Sequence, residues 1–378
     1  MDRLFAFSTL LSVSVSAIHV PLYQHSVSPD RSSFDVAKSA LHAVSKHTFA
    51  SKTSTPDTLD GGFWYGSFAV GSGTNLSLLI DTGSSDTAVN PTKYKPSQKS
   101  VNRHQSGTLR YGTTEPNGCG NADIAYNVYT DSASLAGLTA PAQTFGWVQK
   151  TTPPDNDTIT QFPHDGIVGF SDESSSEIGA TPFFSNLCNN GVVAACRFGL
   201  AFKTDGTGTQ VLGSVDTTLF SGSLTTARIS SPWTTSGDVA VGNTVIARQQ
   251  TILLDSGTSN VIGPTAQVKK LLQKAGIKYQ TIDLPGCATV VMGSYRCNQP
   301  PTNIGFAFPS GNARYLNIEG AAFQEAQDSN GDGNCTATVT GIDFGTNFWI
   351  VGQSWMQGKY VDFNFDSNSV GFATLNQK

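Results

Sequence analysis

The sequence predicts a mainly β protein built of two related lobes with a few short helices, and three observations carry that reading. The segment LLIDTGSSD at residues 78–86 returns as TILLDSGTSN at residues 251–260. Each is an apolar, strand-forming run that delivers one aspartate, Asp81 or Asp255, into a Gly-Ser/Thr turn. By chance, one Asp-Ser/Thr-Gly-Ser/Thr is expected in roughly one or two of every hundred chains this long. Two copies, one in each half and each behind aliphatics, therefore mark an internal duplication. Charged residues make up only 13% of the chain while Gly, Ser, Thr and Asn abound, which favours short strands and turns over long helices. The 378 residues suffice for two lobes of ordinary domain size, each with its own core.

The opening MDRLFAFSTLLSVSVSA has one Arg, an apolar stretch and small residues up to Ala17. Residues 1–17 read as a secretory signal peptide, too short to span a bilayer comfortably. No later run is apolar enough to cross a membrane. Export makes Cys119, Cys188, Cys196, Cys287, Cys297 and Cys335 candidates for disulfides. It also fits three glycosylation sequons, at Asn75, Asn156 and Asn334. Asn75 lies in an apparent strand leading to Asp81, so Asn156 and Asn334 are preferred. The expected location is secreted, with the vacuole as the alternative. A net charge of −5 without a Lys/Arg cluster gives nucleic-acid binding no support.

Residues 18–53 turn basic, with Arg31, Lys38, Lys46 and Lys52 against Asp30 and Asp35. An extended piece, IHVPLYQHS, leads into a helix on which Phe34, Ala37, Leu41 and Val44 share a face, with Ser32 and Asp35 placed as a capping box. A structural N-terminal arm and a removable prosegment both fit. The basic charge opposite a more acidic body favours the prosegment. Lys46 and Lys52 are candidates to occupy the aspartates before activation, and the absence of a dibasic pair there points to self-cleavage.

From Phe63 onward the pattern is strands and turns. FWYGSFAVG alternates, LSLLI leads into Asp81, and LRYGTTEPNGCG with DIAYNVYTD reads as a hairpin or a longer loop between strands. TPFFSNLCNNG reads as a short helix, with Pro near its start and Gly past its end. RFGLAF and TQVLGSV are strands. The second half offers the helix GPTAQVKKLLQKAG, with Val268, Leu271, Leu272 and Ala275 on one face and Gly276 at its end. The closing NFWIVGQSWMQGKYVDFNFDSNSVGFA alternates, and its WIVG echoes HDGIVGF of the first half.

Two carboxylates in contact cannot both ionise, so they share one proton. The ionised member takes a proton from a water between them while the protonated member donates to the carbonyl under attack. Gly83 and Gly257 let backbone N–H groups approach the carboxylates. Ser84 and Thr258 offer hydroxyls to the outer oxygens, and Thr82 and Ser256 are placed to bond across a pseudo-twofold axis. Competing chemistries are poor. Only His104 and His164 lie in the body after residue 53, in no zinc or Ser/Cys-His motif. DSNGDG, residues 328–333, begins like a calcium loop. Its twelfth position would be Val339 where a bidentate Glu is needed, so it reads as a solvated turn. No metal and no cofactor are expected.

These segments together resemble the pepsin-like aspartic endopeptidases, and more narrowly their secreted fungal members, over nearly everything after Ala17. IHVPLYQHS resembles the first strand of that family's prosegment, and HDGIVGF and FWIVGQ the segments under each catalytic loop. TPFFSNL, VLGSVDTTLFSGSL and YVDFNFDSNSVGFA match in order and spacing. The resemblance implies a bilobal pepsin-like acid protease fold with pseudo-twofold related lobes, a substrate cleft between them and one aspartate from each. It implies a flap over the substrate with Tyr111, Gly112 and Thr113, and a Cys297–Cys335 bridge. Cys188 and Cys196, at a helix end and a strand start, are close enough in sequence to pair locally. Cys119 and Cys287 stay open. The chain departs from the family at Ala88, where most relatives carry the Trp that partners the flap tyrosine. It departs again at Pro116 and Cys119 in the flap, and at Gln353, where many relatives have an acidic residue. Losing that charge should make the aspartates easier to ionise.

The expected organisation is a signal peptide at 1–17, a prosegment at 18–53, an N-terminal lobe at 54–225 and a C-terminal lobe at 226–378. The expected function is a secreted aspartic endopeptidase made as a zymogen and active at acidic pH through Asp81 and Asp255. Its partners would be extended peptide or protein substrates and its own prosegment, on a monomer with no membrane or nucleic-acid partner. A catalytically silent pepsin-like binding or inhibitor protein is the alternative. A carboxylate-pair glycosidase lacks the paired Asp-Thr/Ser-Gly logic.

Overall fold

The computed structural model describes residues 17–24, 37, 40, 63–112, 121–152, 165–286, 288–309, 315–327, 333–344 and 347–376. Over these residues the chain is mainly β, with one sheet of thirteen strands and one of ten. The same local arrangement occurs in each sheet. Gly73–Asp81 runs parallel to Gly166–Gly169, which pairs antiparallel with Thr87–Val89. In the second sheet Thr244–Leu254 runs parallel to Phe348–Val351, which pairs antiparallel with Val261–Gly263. Each aliphatic-aliphatic-Gly segment is thus held between the strands that enter and leave an aspartate loop. A side chain would not fit at its glycine. A Cβ on Gly169 would lie 2.4 Å from the Ser85 backbone, and one on Gly352 would lie 2.2 Å from the Thr258 carbonyl oxygen.

The halves join where Lys359–Asn364 pairs antiparallel with Arg197–Phe202. Arg197 crosses that seam to Asp362, Nε to Oδ1 at 3.1 Å and Nη2 to Oδ2 at 2.6 Å. Burial raises the Asp362 carboxyl above its ordinary range, against the pull of Arg197. Behind the seam lies a shared aromatic layer. Phe198 stacks on Phe363 at 4.9 Å and meets Trp233 edge-on at 5.7 Å, and Trp233 meets Phe365 at 4.5 Å. The strand Phe220–Arg228 pairs with Ser369–Leu375 in the same sheet. The expected lobe boundary at 225 therefore falls inside a strand, and the end of the chain returns to the first sheet.

The segment Ile18–Gln24 is an interior strand of that sheet. It pairs with Thr207–Leu212 from Ile18 opposite Leu212 to Tyr23 opposite Thr207, and on its other side Gln24 lies opposite Trp64. Val20 and Leu22 are buried. His19 Nε2 stands 2.7 Å from Asp216 Oδ2. Burial works against ionising Asp216, but hydrogen bonds from Thr218 and then His19 hold its carboxyl below the usual range. Ala37 and Ala40, both helical, are fully buried against Ile262, Val290, Met292 and Ile350 of the second lobe. Residues 1–16, Lys46 and Lys52 lie outside the described residues.

The helix expected in TPFFSNLCNNG spans Phe183–Asn189, with Pro182 as its N-cap and Gly191 at φ +64° beyond its end. The second spans Thr265–Lys274 and buries Val268, Leu271 and Leu272. The closing stretch does not alternate throughout. A helical turn, Gln353–Met356, interrupts it, buried on every residue and fixed by Trp355 Nε1 donating to the Leu316 carbonyl at 2.9 Å. Tertiary packing overrides the strand-like pattern there. Disulfides join Cys188 to Cys196 and Cys297 to Cys335. Cys119 and Cys287 fall outside the described residues, as does Asn156. Asn334 is half-buried in a strand, whereas Asn75 is exposed at a left-handed position with φ +57°.

In the first lobe the buried Asp131 gathers the turn around Ser97. It accepts from Tyr94 Oη at 2.9 Å, Ser97 N at 2.9 Å, Ser97 Oγ at 2.6 Å and Ser132 N at 2.8 Å. Burial opposes ionisation, but these donors, led by Ser97, hold the carboxyl below its ordinary value. Such a group contributes stability above its unfolded pKa, near about 3.9, and loses it as the pH falls through the lower folded value. Asp131→Asn should therefore lower the unfolding free energy by about 2 kcal/mol near neutral pH. In urea titrations the gap to the parent should narrow once the pH drops below about 4.

Candidate active site

Asp81 and Asp255 are both fully buried at the ends of their parallel strand pairs. The turn after each supplies the same two donors. Gly83 N donates to Asp81 Oδ1 at 2.8 Å, and Ser84 Oγ donates to Asp81 Oδ2. Gly257 N donates to Asp255 Oδ1 at 2.9 Å, and Thr258 Oγ1 donates to Oδ2 at 2.5 Å. One oxygen of each carboxylate thus faces a backbone N–H and the other a hydroxyl, which fixes both rotamers. Donors to a carboxylate favour its ionised form, while burial favours the neutral one.

Four hydrogen bonds tie the two turns together. Thr82 N donates to Ser256 Oγ at 3.0 Å, and Ser256 N donates to Thr82 Oγ1 at 2.9 Å. Each hydroxyl then donates onward to the residue before the opposite aspartate. Thr82 Oγ1 reaches the Leu254 carbonyl at 2.9 Å and Ser256 Oγ reaches the Ile80 carbonyl at 2.7 Å. All four residues are fully buried. Each hydroxyl accepts one bond and donates one, so the mesh is closed and related by a twofold.

A second layer supports it. Gly169 N donates to the Asp86 carbonyl at 2.9 Å and Gly352 N to the Asn260 carbonyl at 3.0 Å. Gln353 is 1% exposed, and its Nε2 donates to the Ser256 carbonyl. This amide thus grips the backbone of the second turn. Trp233 links the lobes. Its Nε1 donates to the Phe170 carbonyl at 2.8 Å, and its own carbonyl accepts from Leu254 N at 3.0 Å. Sequence reading passed over Trp233, since nothing local distinguishes SPWTT. Asp86 was also passed over. It accepts from Ser176 Oγ at 2.5 Å and Glu177 N at 2.6 Å. Lining up the two motif copies would have found it, because Asp86 and Asn260 both stand five residues beyond an aspartate.

The backbone of Tyr111 lies opposite Ala122 and that of Gly112 opposite Asn121, in a hairpin formed by Val101–Gly112 and Asn121–Leu135. Thr113, Pro116 and Cys119 lie outside the described residues. Ala88 is fully buried in an apolar cluster with Tyr65, Leu109, Tyr126 and Ile167.

Two strand-borne aspartates on mirrored, cross-bonded turns define a class of protein. The chain belongs to the eukaryotic aspartyl protease family, whose model matches residues 63–375. It is a hydrolase of the aspartic endopeptidase type. It is similar to an aspartic protease of Phaffia rhodozyma, 28% identical over 323 residues that cover 82% of this chain and 76% of the relative. It is also similar to secreted aspartyl protease 1 of Malassezia globosa, 26% identical over 346 residues, 88% of this chain and 78% of the relative. Pepsin A of Rhinolophus ferrumequinum is 25% identical over 336 residues, 82% of this chain and 81% of the relative.

The mesh makes a quantitative expectation. Ser256→Ala removes one acceptor and one donor, leaving Thr82 N and the Ile80 carbonyl buried and unmatched, at about 2–4 kcal/mol. Thr82→Val should cost a similar amount, and the double variant less than the sum, because the two share bonds. Denaturant midpoints of the three variants measure this; strict additivity would mean that the hydroxyls act independently.

Proposed function

We propose that this is a secreted, pepsin-like aspartic endopeptidase of the fungal type, made as a zymogen and active at acidic pH. The observation that carries the reading is the closed Thr82–Ser256 mesh, which ties together the turns that follow Asp81 and Asp255. Asp81 and Asp255 share one proton. The ionised member draws a proton from a bound water, which attacks the peptide carbonyl carbon. The protonated member donates to the carbonyl oxygen, giving a tetrahedral diol. Collapse of the diol returns a proton to the leaving nitrogen and breaks the C–N bond, with no covalent intermediate. Gly83, Ser84, Gly257 and Thr258 hold the carboxylates in place, and Tyr111, Gly112 and Thr113 belong to a flap over an extended substrate.

In this reading residues 1–17 are a signal peptide and residues 18–53 a prosegment that inhibits the enzyme from within. The paired strand Ile18–Gln24 and the buried Ala37 and Ala40 support an N-terminal segment that folds onto the body. The secreted relative supports export. The lobes divide near residue 225, within the strand Phe220–Arg228 that connects them, and the molecule acts as a monomer on peptides and proteins.

The test starts from secreted zymogen at neutral pH, shifted to about pH 3–4, where a shared-proton pair is competent. The parent should lose the mass of residues 18–53 and cleave a denatured protein. An Asp81→Asn copy should stay intact, with activity reduced by about a thousandfold or more. Cleavage by both would remove the dyad mechanism. Cleavage by neither, with no binding of a statine-type peptide, would leave the silent binding protein.

A further inference from the structure

The two lobes differ sharply at one pair of equivalent positions. Ala88 and Ile262 each stand seven residues beyond their aspartate, and both are fully buried. Ile262 fills its place with a branched side chain, whereas Ala88 offers a methyl group. The space beside Ala88 is nevertheless occupied. Ala88 pairs laterally with Gly146, so the two positions share a face of the sheet. A Cβ on Gly146 would lie 3.2 Å from Ile178 Cδ1 and 3.3 Å from both Cβ and Cγ of Tyr126. On its other side Tyr126 pairs with Gly107, where a Cβ would lie 2.3 Å from the Tyr126 hydroxyl oxygen and 2.6 Å from the carbon that bears it.

Gly107 is therefore cleared for the Tyr126 ring, and Gly146 for the base of that side chain and the end of Ile178. That ring is 6% exposed. Its hydroxyl is pushed up to about 12, by burial first and then by the charges of Asp86 and Glu177. Glu177 N is itself bonded to Asp86. The phenol thus lies over Gly107 of the flap strand, in one apolar cluster with Ala88 of the strand after Asp81. Gly107 is four residues before Tyr111 on the same strand.

We infer that Tyr126 is a positioning residue: its ring takes up the volume that Ala88 leaves and clamps the root of the flap strand Val101–Gly112 to the strand Thr87–Val89. The inference rests on the endopeptidase reading above. The aspartates are held by a separate mesh, so loosening the clamp should weaken substrate binding and leave the chemical step nearly intact. That pattern is a raised KM with little change in kcat.

The acid-activated enzyme is assayed on an extended apolar peptide, with thermal midpoints measured alongside. Tyr126→Ala should raise KM about tenfold with kcat within about threefold. Tyr126→Phe, which keeps the ring, should match the parent on both. Adding Ala88→Phe to Tyr126→Ala should return KM to within about threefold of the parent, a volume-conserving repacking. An unchanged KM in Tyr126→Ala, a fall in kcat alone, or no rescue by Ala88→Phe would overturn the clamp. Should Tyr126→Ala not fold, Gly107→Ala reads the same contact. It should lower the thermal midpoint beside Tyr126 and not beside Tyr126→Leu, and equal shifts in both backgrounds would overturn it. A parent that cleaves nothing removes the endopeptidase reading, while the thermal coupling of Gly107 and Tyr126 is still read separately.

Discussion

Everything in this molecule depends on two hydroxyls that each serve the opposite lobe. Thr82 and Ser256 lie 174 residues apart, yet each accepts from the other's backbone and donates to the carbonyl before the other's aspartate. The bonds are fully buried, so water does not compete, and a missing partner would leave a desolvated polar group. Such a mesh tolerates little rotation or sliding of one lobe against the other. The parallel strand pairs, the glycines under each turn and the aromatic layer at the seam all bring these hydroxyls into register.

Much of the site was legible because its bonds are either local or duplicated. Ser84 and Thr258 stand three residues beyond their carboxylates, and Gly83 and Gly257 two. The cross-lobe bond was legible because two copies of one motif imply a twofold axis with the second residue of each turn beside it. Trp233, Asp86 and Asp131 were not legible. Their partners are remote: Phe170 is 63 residues before Trp233, and Ser176 is 90 residues after Asp86. No periodicity records such a contact. Residues 353–356 misled for the opposite reason, since a buried helical turn and a buried strand are both apolar.

The lobes share their turns and differ in what is packed against them. On the first lobe, the hairpin Val101–Gly112 and Asn121–Leu135 closes over Ala88 with a tyrosine rooted in its own strand. On the second, Ile262 lies in a cluster completed by Ala37 and Ala40. Small residues there allow a helix backbone to come close to the sheet. One lobe is therefore finished by its own chain near the site, and the other borrows a face from the N-terminal segment.

The place of Ile18–Gln24 separates two events that are easily treated as one. Because this strand is flanked on both sides, breaking the chain beyond it would sever a covalent link and leave the ladder to Thr207–Leu212 intact. Val20 and Leu22 would stay buried, and His19 would stay beside Asp216. The fragment would then behave as a noncovalent subunit, released by its own equilibrium and at its own rate. A chain that is shorter on a denaturing gel is thus a different species from one that has lost its first strand in solution.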